Sequence, residues 1–219
     1  MRGIQTVLNN LDWMGLVSLL LSAVGVLLCM TVHELCHGLT ACRLGDPTAK
    51  RMGRLSLNPI KHIDILGFAM LLFVGVGWAK PVPVDMRYFK RPKRDMALTA
   101  LAGPVSNMVL SFLLLALYSG LVRILPGGLA AYFLLNFLSR TAVMSIGLGL
   151  FNLLPISPLD GSKILFSLFP DKVYYTILRY ERYVMIPLMI LMFVGVFDGL
   201  LDFCINGVLG VMLRMVGLT

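Results

Sequence analysis

The sequence predicts an all-α polytopic membrane protein with about four to six transmembrane helices. Of its 219 residues, 58% are hydrophobic and 14% are charged, whereas a soluble domain carries roughly a quarter of its residues as charge. The apolar residues form long runs, for example residues 16–32 and 109–122. Such runs are long enough for helices that cross a hydrocarbon layer about 30 Å thick.

The positive charge is concentrated in three stretches of the chain. Fifteen of the nineteen Lys and Arg lie in residues 43–61, 80–94 and 163–182. Because cytoplasmic loops of membrane proteins are enriched in Lys and Arg, we place all three stretches on the cytosolic side of the cell membrane. The net charge of +8 therefore indicates topology and contact with lipid headgroups, and we expect no nucleic-acid partner.

The first apolar run allows either a cleaved signal peptide or a retained helix. The run is long, lacks a small-x-small cleavage site and ends in His33 and Glu34, which favours a retained helix. We predict that this helix covers about residues 13–42 and enters the membrane from the outside.

The connection after this helix is predicted to be non-helical. Residues 51–58 (RMGRLSLN) alternate in polarity before Pro59, which predicts a short β-hairpin near the cytosolic face. Residues 66–78 are apolar, short and interrupted by glycine, and basic stretches flank them on both sides, so we expect a re-entrant or interfacial segment. The prolines of residues 80–84 (KPVPV) favour extended chain. Residues 77–84 form either an edge to which an unwound substrate adds as a strand or a plain interfacial turn.

The remaining chain alternates between apolar runs and turn residues. We predict helices over about residues 96–123, 131–154, 184–196 and 200–213, with a short amphipathic segment within 161–182. No repeat or shift in composition marks a second domain. We therefore expect one domain over residues 1–219, with a core at about 13–182 and C-terminal helices at 183–219.

The sharpest functional signal is HELCH at residues 33–37. Helix residues four apart lie on one face, with Cβ atoms about 5–6 Å apart, so His33 and His37 can bind one zinc ion. Glu34 lies beside them and can accept a proton from bound water. A chance match is the competing interpretation. However, a charge at the bilayer centre costs roughly 2.5–3.5 kcal/mol on insertion scales, so three titratable side chains within five residues favour a metal site.

Two histidines leave tetrahedral zinc one protein ligand short. The candidates are His62, in a basic loop, and Asp160, which follows a proline-rich turn. The first and third predicted spanning helices both run inward, so His37 and Asp160 reach the same side of the membrane. We therefore favour Asp160 as the third ligand; the alternative role for its carboxylate is a helix cap before Gly161.

Several motifs together resemble the site-2 protease family of intramembrane zinc metalloproteases. The main motifs are HELCHG at 33–38 and PLDG at 158–161, with LGDP at 44–47, GRLSLNPIKHID at 53–64, GWAKPVPV at 77–84 and AGPVSN at 102–107. The similarity covers about residues 30–181 and points to small members without PDZ or CBS domains. One departure is Ile65, where relatives usually have proline, and it affects only the shape of the loop.

The resemblance implies a metalloendopeptidase that binds one zinc ion per chain through His33, His37 and Asp160 and uses Glu34 as the catalytic base. It also implies transmembrane or membrane-proximal substrates, such as anti-sigma factors, membrane-bound regulators or remnant signal peptides. A zinc transporter and a catalytically silent adaptor are the alternatives. A transporter needs further ligands across the membrane, where the sequence offers only Asp160 near one side, and the intact ligand set argues against an adaptor.

Asn107 and Asn152 are amides in apolar helices. An amide buried without partners costs on the order of 1–3 kcal/mol, so both are expected to form hydrogen bonds. Hydrogen bonding between helices and binding of a substrate carbonyl or oxyanion are both open for them. The resemblance favours the substrate role for Asn152 more than for Asn107.

Overall fold

The computed structural model describes residues 13–67 and 79–218, except the side chain of Arg182. Its helices are α1 (Trp13–Arg43), α2 (Thr48–Arg51), α3 (Pro92–Ile124), α4 (Leu129–Asn152), α5 (Asp160–Phe166), α6 (Asp171–Phe193) and α7 (Asp198–Met215). Two 3-10 helices, Pro59–His62 and Met86–Tyr88, lie in the connection between α2 and α3. The described residues form no strand and a single isolated antiparallel bridge, Ile63 with Ala79, so the predicted all-α class is confirmed.

Three helices, α1, α3 and α4, are long and apolar enough to cross a membrane. The segment Tyr183–Phe193 of α6 meets the same criterion only together with α7, and the two are bent by 79°. The described part of the chain therefore has three candidate spans, or up to four if the bent pair forms one span. The chain is thus a membrane protein, and the lower limit of the predicted four to six spans is reached only with this pair.

The ends of the long helices follow from proline and glycine. Gly45, with a φ of +112°, lies just after α1 in a left-handed conformation that glycine adopts without steric cost. Pro92 is the first residue of α3, where its missing N–H removes no helical hydrogen bond. Gly128, with a φ of +154°, precedes α4. Residues 125–128 form the short connection between α3 and α4, whereas residues 44–91 form the longer connection between α1 and α3.

The three long helices approach one another through small residues. A Cβ on Gly25 of α1 would lie 2.5 Å from Oγ1 of Thr141 on α4. A Cβ on Gly149 of α4 would lie 2.8 Å from Cε of Met108 and 3.1 Å from the carbonyl oxygen of Pro104, both on α3. Lipid tails are as apolar as leucine, so helices in a membrane associate through such close packing.

The predicted β-hairpin over residues 51–58 is wrong. The chain leaves α2 through Gly53, with a φ of +64°, and continues as irregular backbone to Pro59. Side chains bind its backbone: Oγ of Ser56 accepts from the N–H of Asn58 at 3.1 Å, and Nε2 of His62 lies 2.8 Å from the carbonyl oxygen of Ser56. Because side chains form hydrogen bonds with these backbone N–H and carbonyl groups, the segment needs no partner strand.

Two further expectations concern the rest of the chain. The predicted re-entrant segment, residues 66–78, lies outside the described residues from 68 onward. The sequence predicts a short amphipathic segment within residues 161–182 and a separate helix over 184–196, whereas the structure has α5 and then one helix, α6, that runs without interruption from Asp171 to Phe193. No proline or glycine occurs in α6 before Pro187, and nothing else in its sequence ends a helix there.

The contact between α3 and α4 can be tested at Gly149. We expect Gly149→Ala to lower the free energy of unfolding by about 1–3 kcal/mol, the usual cost of overpacking, because the new methyl group meets the backbone of α3. Gly147→Ala is the matched control on the same helix, since its Cβ would lie 3.5 Å from Cδ1 of Ile205, an ordinary contact. The measurement is the thermal unfolding midpoint in detergent micelles. Equal midpoints for the two variants would contradict this account of the packing.

Candidate metal centre

Three potential ligand side chains from two helices converge on one point. His33 and His37 lie on α1, and Asp160 begins α5. Oδ2 of Asp160 lies 3.1 Å from Nε2 of each histidine, and one ligand atom from each of the three residues lies within 4.8 Å of the others. All three residues are buried, with exposures of 5%, 8% and 7%. The predicted meeting of His33, His37 and Asp160 is therefore present in the fold.

The turn between α4 and α5 brings Asp160 to this point. After Asn152 the chain forms a run of turns and bends, and α5 begins at Asp160. A Cβ on Gly161 would overlap the carbonyl group of Leu153 and lie 2.5 Å from the carbonyl oxygen of Leu154. Glycine at position 161 therefore lets α5 fold back against the end of α4, which directs the Asp160 carboxylate toward α1.

The donor set fits a divalent metal of the zinc type. Nδ1 of His37 lies 2.7 Å from the carbonyl oxygen of Thr99, which can only accept, so Nδ1 carries a proton. In the neutral imidazole Nε2 then offers a lone pair toward the Asp160 carboxylate oxygen, and a proton or a metal cation between the two atoms stabilises this close approach. Ligand atoms on tetrahedral zinc are about 3.3 Å apart, given metal–ligand bonds near 2.0–2.1 Å, which is close to the observed spacing.

One face of α3 supports the two imidazoles. Thr99, Gly103 and Asn107 are spaced four residues apart and so lie on the same side of this helix. Thr99 accepts from His37, and Nδ2 of Asn107 lies 3.3 Å from Nδ1 of His33. Thr99 and Gly103 did not emerge as site residues from the sequence. The sequence signal for this face is the four-residue spacing of Thr99, Gly103 and Asn107.

Glu34 and Asn152 face the same cavity as the ligands. The cavity has a volume of about 160 Å³ and is lined by His33, Glu34, His37, Pro81, Val82, Val84, Met96, Thr99, Ala100, Asn152, Pro158, Asp160 and Lys163. Oε2 of Glu34 accepts a hydrogen bond from the N–H of Val82 at 2.7 Å. Asn152 donates to the carbonyl oxygen of Leu148 at 2.9 Å. A water molecule and a peptide group have room beside the three ligands.

The other two polar candidates lie away from the cavity. Asn107 has no exposed surface and contacts His33. His62 is 2% exposed and its Nε2 contacts the carbonyl oxygen of Ser56 at 2.8 Å. Among the histidines, only His33 and His37 belong to the group of potential ligands with Asp160.

The electrostatics of the centre favour an ionised aspartate. Burial raises the pKa of the Asp160 carboxyl, but the contacts with His33 and His37 lower it by more, so its pKa lies below the usual range of an aspartate. Nζ of Lys163 lies 4.0 Å from Oδ1 of Asp160. The centre therefore offers one carboxylate and two imidazole nitrogens to a cation.

The histidine pair, the adjacent glutamate and the aspartate define a metallopeptidase-type centre in a membrane protein. Comparison with known proteins agrees. The family model described as "Peptidase family M50" matches residues 117–195, which include Asp160. No solved structure matches the chain.

Relatives named as metalloproteases extend this match. "Putative zinc metalloprotease YwhC" of Bacillus subtilis is 41% identical over 168 residues, which cover 74% of each chain. "Putative zinc metalloprotease Rip2" of Mycolicibacterium smegmatis is 34% identical over 164 residues, covering 70% of this chain and 58% of Rip2. A Rip2 protein of Mycobacterium tuberculosis is 34% identical over 146 residues. The chain belongs to peptidase family M50.

Gly103 provides a test of the geometry of the centre. Its added Cβ would lie 2.5 Å from Cε1 of His37 and 2.6 Å from Cε1 of His33, so Gly103→Ala must displace both imidazoles. We expect its affinity for Zn²⁺ to fall about 10–100-fold, the usual effect of disturbing the groups around metal ligands. Gly120→Ala on the same helix is the control, because nothing lies within 4 Å of its Cβ. Competition with a chelator measures both affinities, and an unchanged affinity for Gly103→Ala would refute this geometry.

Proposed function

We propose that this protein is an intramembrane zinc metallopeptidase that hydrolyses peptide bonds of transmembrane or membrane-proximal substrates. The observation that carries the proposal is the convergence of His33, His37 and Asp160 beside Glu34 on one cavity. Membership of peptidase family M50 supports the same reaction class. In this proposal residues 1–219 form a single protease domain.

His33, His37 and Asp160 would hold one zinc ion through Nε2, Nε2 and a carboxylate oxygen. The 3.1 Å spacing of the carboxylate oxygen from each nitrogen and the proton on Nδ1 of His37 support this assignment. When bound, zinc supplies Lewis acidity, which polarises a carbonyl group and lowers the pKa of water toward 7.

Glu34 acts as the general base in this proposal. It lines the cavity beside both histidines without belonging to the group of ligand atoms. Its carboxylate accepts a proton from the attacking water and passes that proton to the amine that leaves, so that one side chain serves both halves of the hydrolysis. The half-buried position of Glu34 keeps the carboxylate accessible to water.

Asn152 and Asn107 receive different roles. Asn152 lines the cavity, and the second hydrogen of its amide can be donated to a substrate carbonyl oxygen as negative charge develops there. Asn107 is buried against His33, and its Oδ1 has no hydrogen-bond partner. Turning this amide by 180° places Oδ1 against the N–H of His33, which orients Nε2 toward the metal. We therefore assign Asn152 to substrate binding and Asn107 to orienting His33.

The proposed site lies near the cytosolic boundary of the cell membrane. At 1.5 Å per residue, His33 lies about 30 Å along α1 from Trp13, a distance comparable with the hydrocarbon thickness. The chain that follows α1 carries basic residues, which favours the cytosol for that end. A substrate helix must unwind there, because hydrogen bonds within a helix occupy the carbonyl groups that hydrolysis attacks.

The geometry gives no support to a zinc transporter. A transporter requires ligand groups at successive depths across the membrane. In residues 13–67 and 79–218, His33, His37 and Asp160 form the single cluster of three or more such side chains. A single centre near one boundary suits hydrolysis.

Replacement of Glu34 separates catalysis from metal binding. We expect Glu34→Gln to retain zinc and to lose at least 99% of the cleavage rate, since an amide cannot accept the proton of water. The assay uses a single-span peptide with an Asn-Gly pair near its cytosolic end and a fluorophore–quencher pair around it. Asp202→Asn, an exposed carboxylate on α7, is the control and should cleave at the wild-type rate. Wild-type cleavage by Glu34→Gln would reject the role of this residue.

Replacing each of the three histidines in turn tests which of them bind zinc. We expect His33→Asn and His37→Asn to lose bound zinc, because each removes one of three protein ligands. His62→Asn should retain one zinc per chain, since Nε2 of His62 is bound to the carbonyl oxygen of Ser56 and His62 does not line the cavity. Elemental analysis of the purified proteins measures the zinc content. Loss of zinc from His62→Asn, or its retention by both other variants, would contradict the assignment.

A further inference from the structure

An extended segment of residues 80–85, called the strap below, forms one wall of the cavity. It begins after the isolated bridge at Ala79 and ends at the 3-10 helix Met86–Tyr88. Three of its residues, Pro81, Val82 and Val84, line the cavity that contains the metal ligands. The strap is therefore close enough to the reacting groups to influence them.

Between its two prolines the strap has one backbone donor, and this donor is bound to Glu34. Pro81 and Pro83 have no N–H, so the N–H of Val82 is the single donor of residues 81–83. It lies 2.7 Å from Oε2 of Glu34. Hydrogen bonds to an ionised acceptor are roughly twice as strong as neutral ones. The bond restricts a side chain that would otherwise rotate freely.

Buried charged groups anchor the strap on both sides of Val82. The guanidinium of Arg54, 8% exposed, donates to the carbonyl oxygens of Lys80 at 2.6 Å and Pro81 at 3.1 Å, and also to that of Lys61. Oδ2 of Asp46, which has no exposed surface, accepts from the N–H of Asp85 at 2.7 Å. Burying a charge is costly unless it is hydrogen-bonded, so these contacts resist displacement of the strap.

Glycine at position 38 brings the strap against α1. A Cβ on Gly38 would lie 3.1 Å from Cγ1 of Val82 and 2.6 Å from Cδ2 of Leu55. Gly38 lies four residues after Glu34, hence on the same face of α1. The close approach permitted by this glycine puts the N–H of Val82 within reach of the carboxylate.

We propose that the strap is a fixed support for the general base: the Val82 N–H orients the Glu34 carboxylate, and Arg54 positions that N–H through the carbonyls of Lys80 and Pro81. The proposal rests on the proposed role of Glu34. Val82 and Arg54 are positioning residues, because they act through Glu34. The metal ligands are supported separately, by Thr99 and Asn107 on α3, so the strap should affect turnover and leave metal binding unchanged.

Val82→Pro tests the hydrogen bond directly. Proline fits extended backbone and removes the donor, while Val82→Ala keeps the donor and shortens the side chain. We expect Val82→Pro to reduce kcat for the labelled single-span peptide about 10–100-fold, the usual effect of losing such an outer partner. KM should change less than about twofold, and the zinc content should stay at one per chain. Val82→Ala shortens the same side chain but keeps the donor, so Val82→Pro should have the lower kcat of the two by about tenfold or more.

Three results of this experiment would overturn the proposal. Equal kcat values for Val82→Pro and Val82→Ala would mean that the hydrogen bond does not matter. A higher kcat for Val82→Pro would mean that the strap restrains the base instead of orienting it. Loss of zinc from Val82→Pro would mean that the strap supports the metal ligands.

Arg54→Lys provides a second arm that leaves the backbone of the strap intact. Lysine keeps the positive charge, but its single nitrogen cannot reproduce the fork in which one terminal nitrogen of Arg54 binds the carbonyl of Lys61 and the other binds those of Lys80 and Pro81. We expect kcat to fall about tenfold or more with zinc retained, whereas Arg51→Lys, an exposed neighbour, should match wild type. Wild-type kcat for Arg54→Lys would overturn the role of Arg54. Glu34→Gln is measured in parallel: its full activity would reject the proposed function, whereas its inactivity beside an active Val82→Pro would reject only the strap.

Discussion

The contact of the Asp160 carboxylate with the imidazoles of His33 and His37 is the constraint on which the rest of the structure depends. A carboxylate that is 7% exposed within apolar helices is costly unless a positive charge or hydrogen bonds offset its burial. The fold must therefore bring α5 against the C-terminal half of α1, although more than a hundred residues separate them. The turn between α4 and α5 meets this requirement, and α3 fills the space behind the histidines. Removal of any one of the three groups would leave the others buried and uncompensated.

Space for this contact comes from glycines, each at a place where one carbon atom would obstruct a functional group. Gly103 faces the two imidazoles, Gly161 faces the backbone of Leu153 and Leu154, and Gly38 faces the strap. In a membrane, small residues are usually explained by helix association, and Gly25 and Gly149 fit that explanation. The three glycines at the centre instead permit the close approach of the His33 and His37 imidazoles, the turn before Asp160 and the strap. The same residue type thus serves stability in the bundle and geometry at the site.

The sequence was sufficient for features that depend on local periodicity and strong composition. The apolar lengths predicted α1, α3 and α4 to within a few residues, and the four-residue spacing of His33 and His37 predicted a shared face. The loops were harder to predict because their backbone is satisfied by distant side chains. Alternating polarity over residues 51–58 looked like a strand, yet this chain carries Arg54, which binds carbonyl groups up to 27 positions away. The alternation of polar and apolar residues along the chain gives no information about a contact between residues so far apart in sequence. For the same reason the sequence alone did not predict the hydrogen bond from the N–H of Val82 to Glu34, which depends on the fold of the strap.

In the proposed mechanism the centre supports the metal ligands and the base by different means, and the chemistry explains the difference. Metal ligands must keep one geometry throughout the reaction, and helices α1, α3 and α5 hold them through contacts between regular elements. The base must receive a proton at one position and release it at another, so it needs orientation without complete immobility. One hydrogen bond from an anchored loop provides this, because the Glu34 side chain can still turn about its remaining bonds. Since Pro81, Val82 and Val84 also line the cavity, a peptide entering it contacts the same residues that hold the base. In the proposed mechanism a bound peptide and the base thus contact the same short segment.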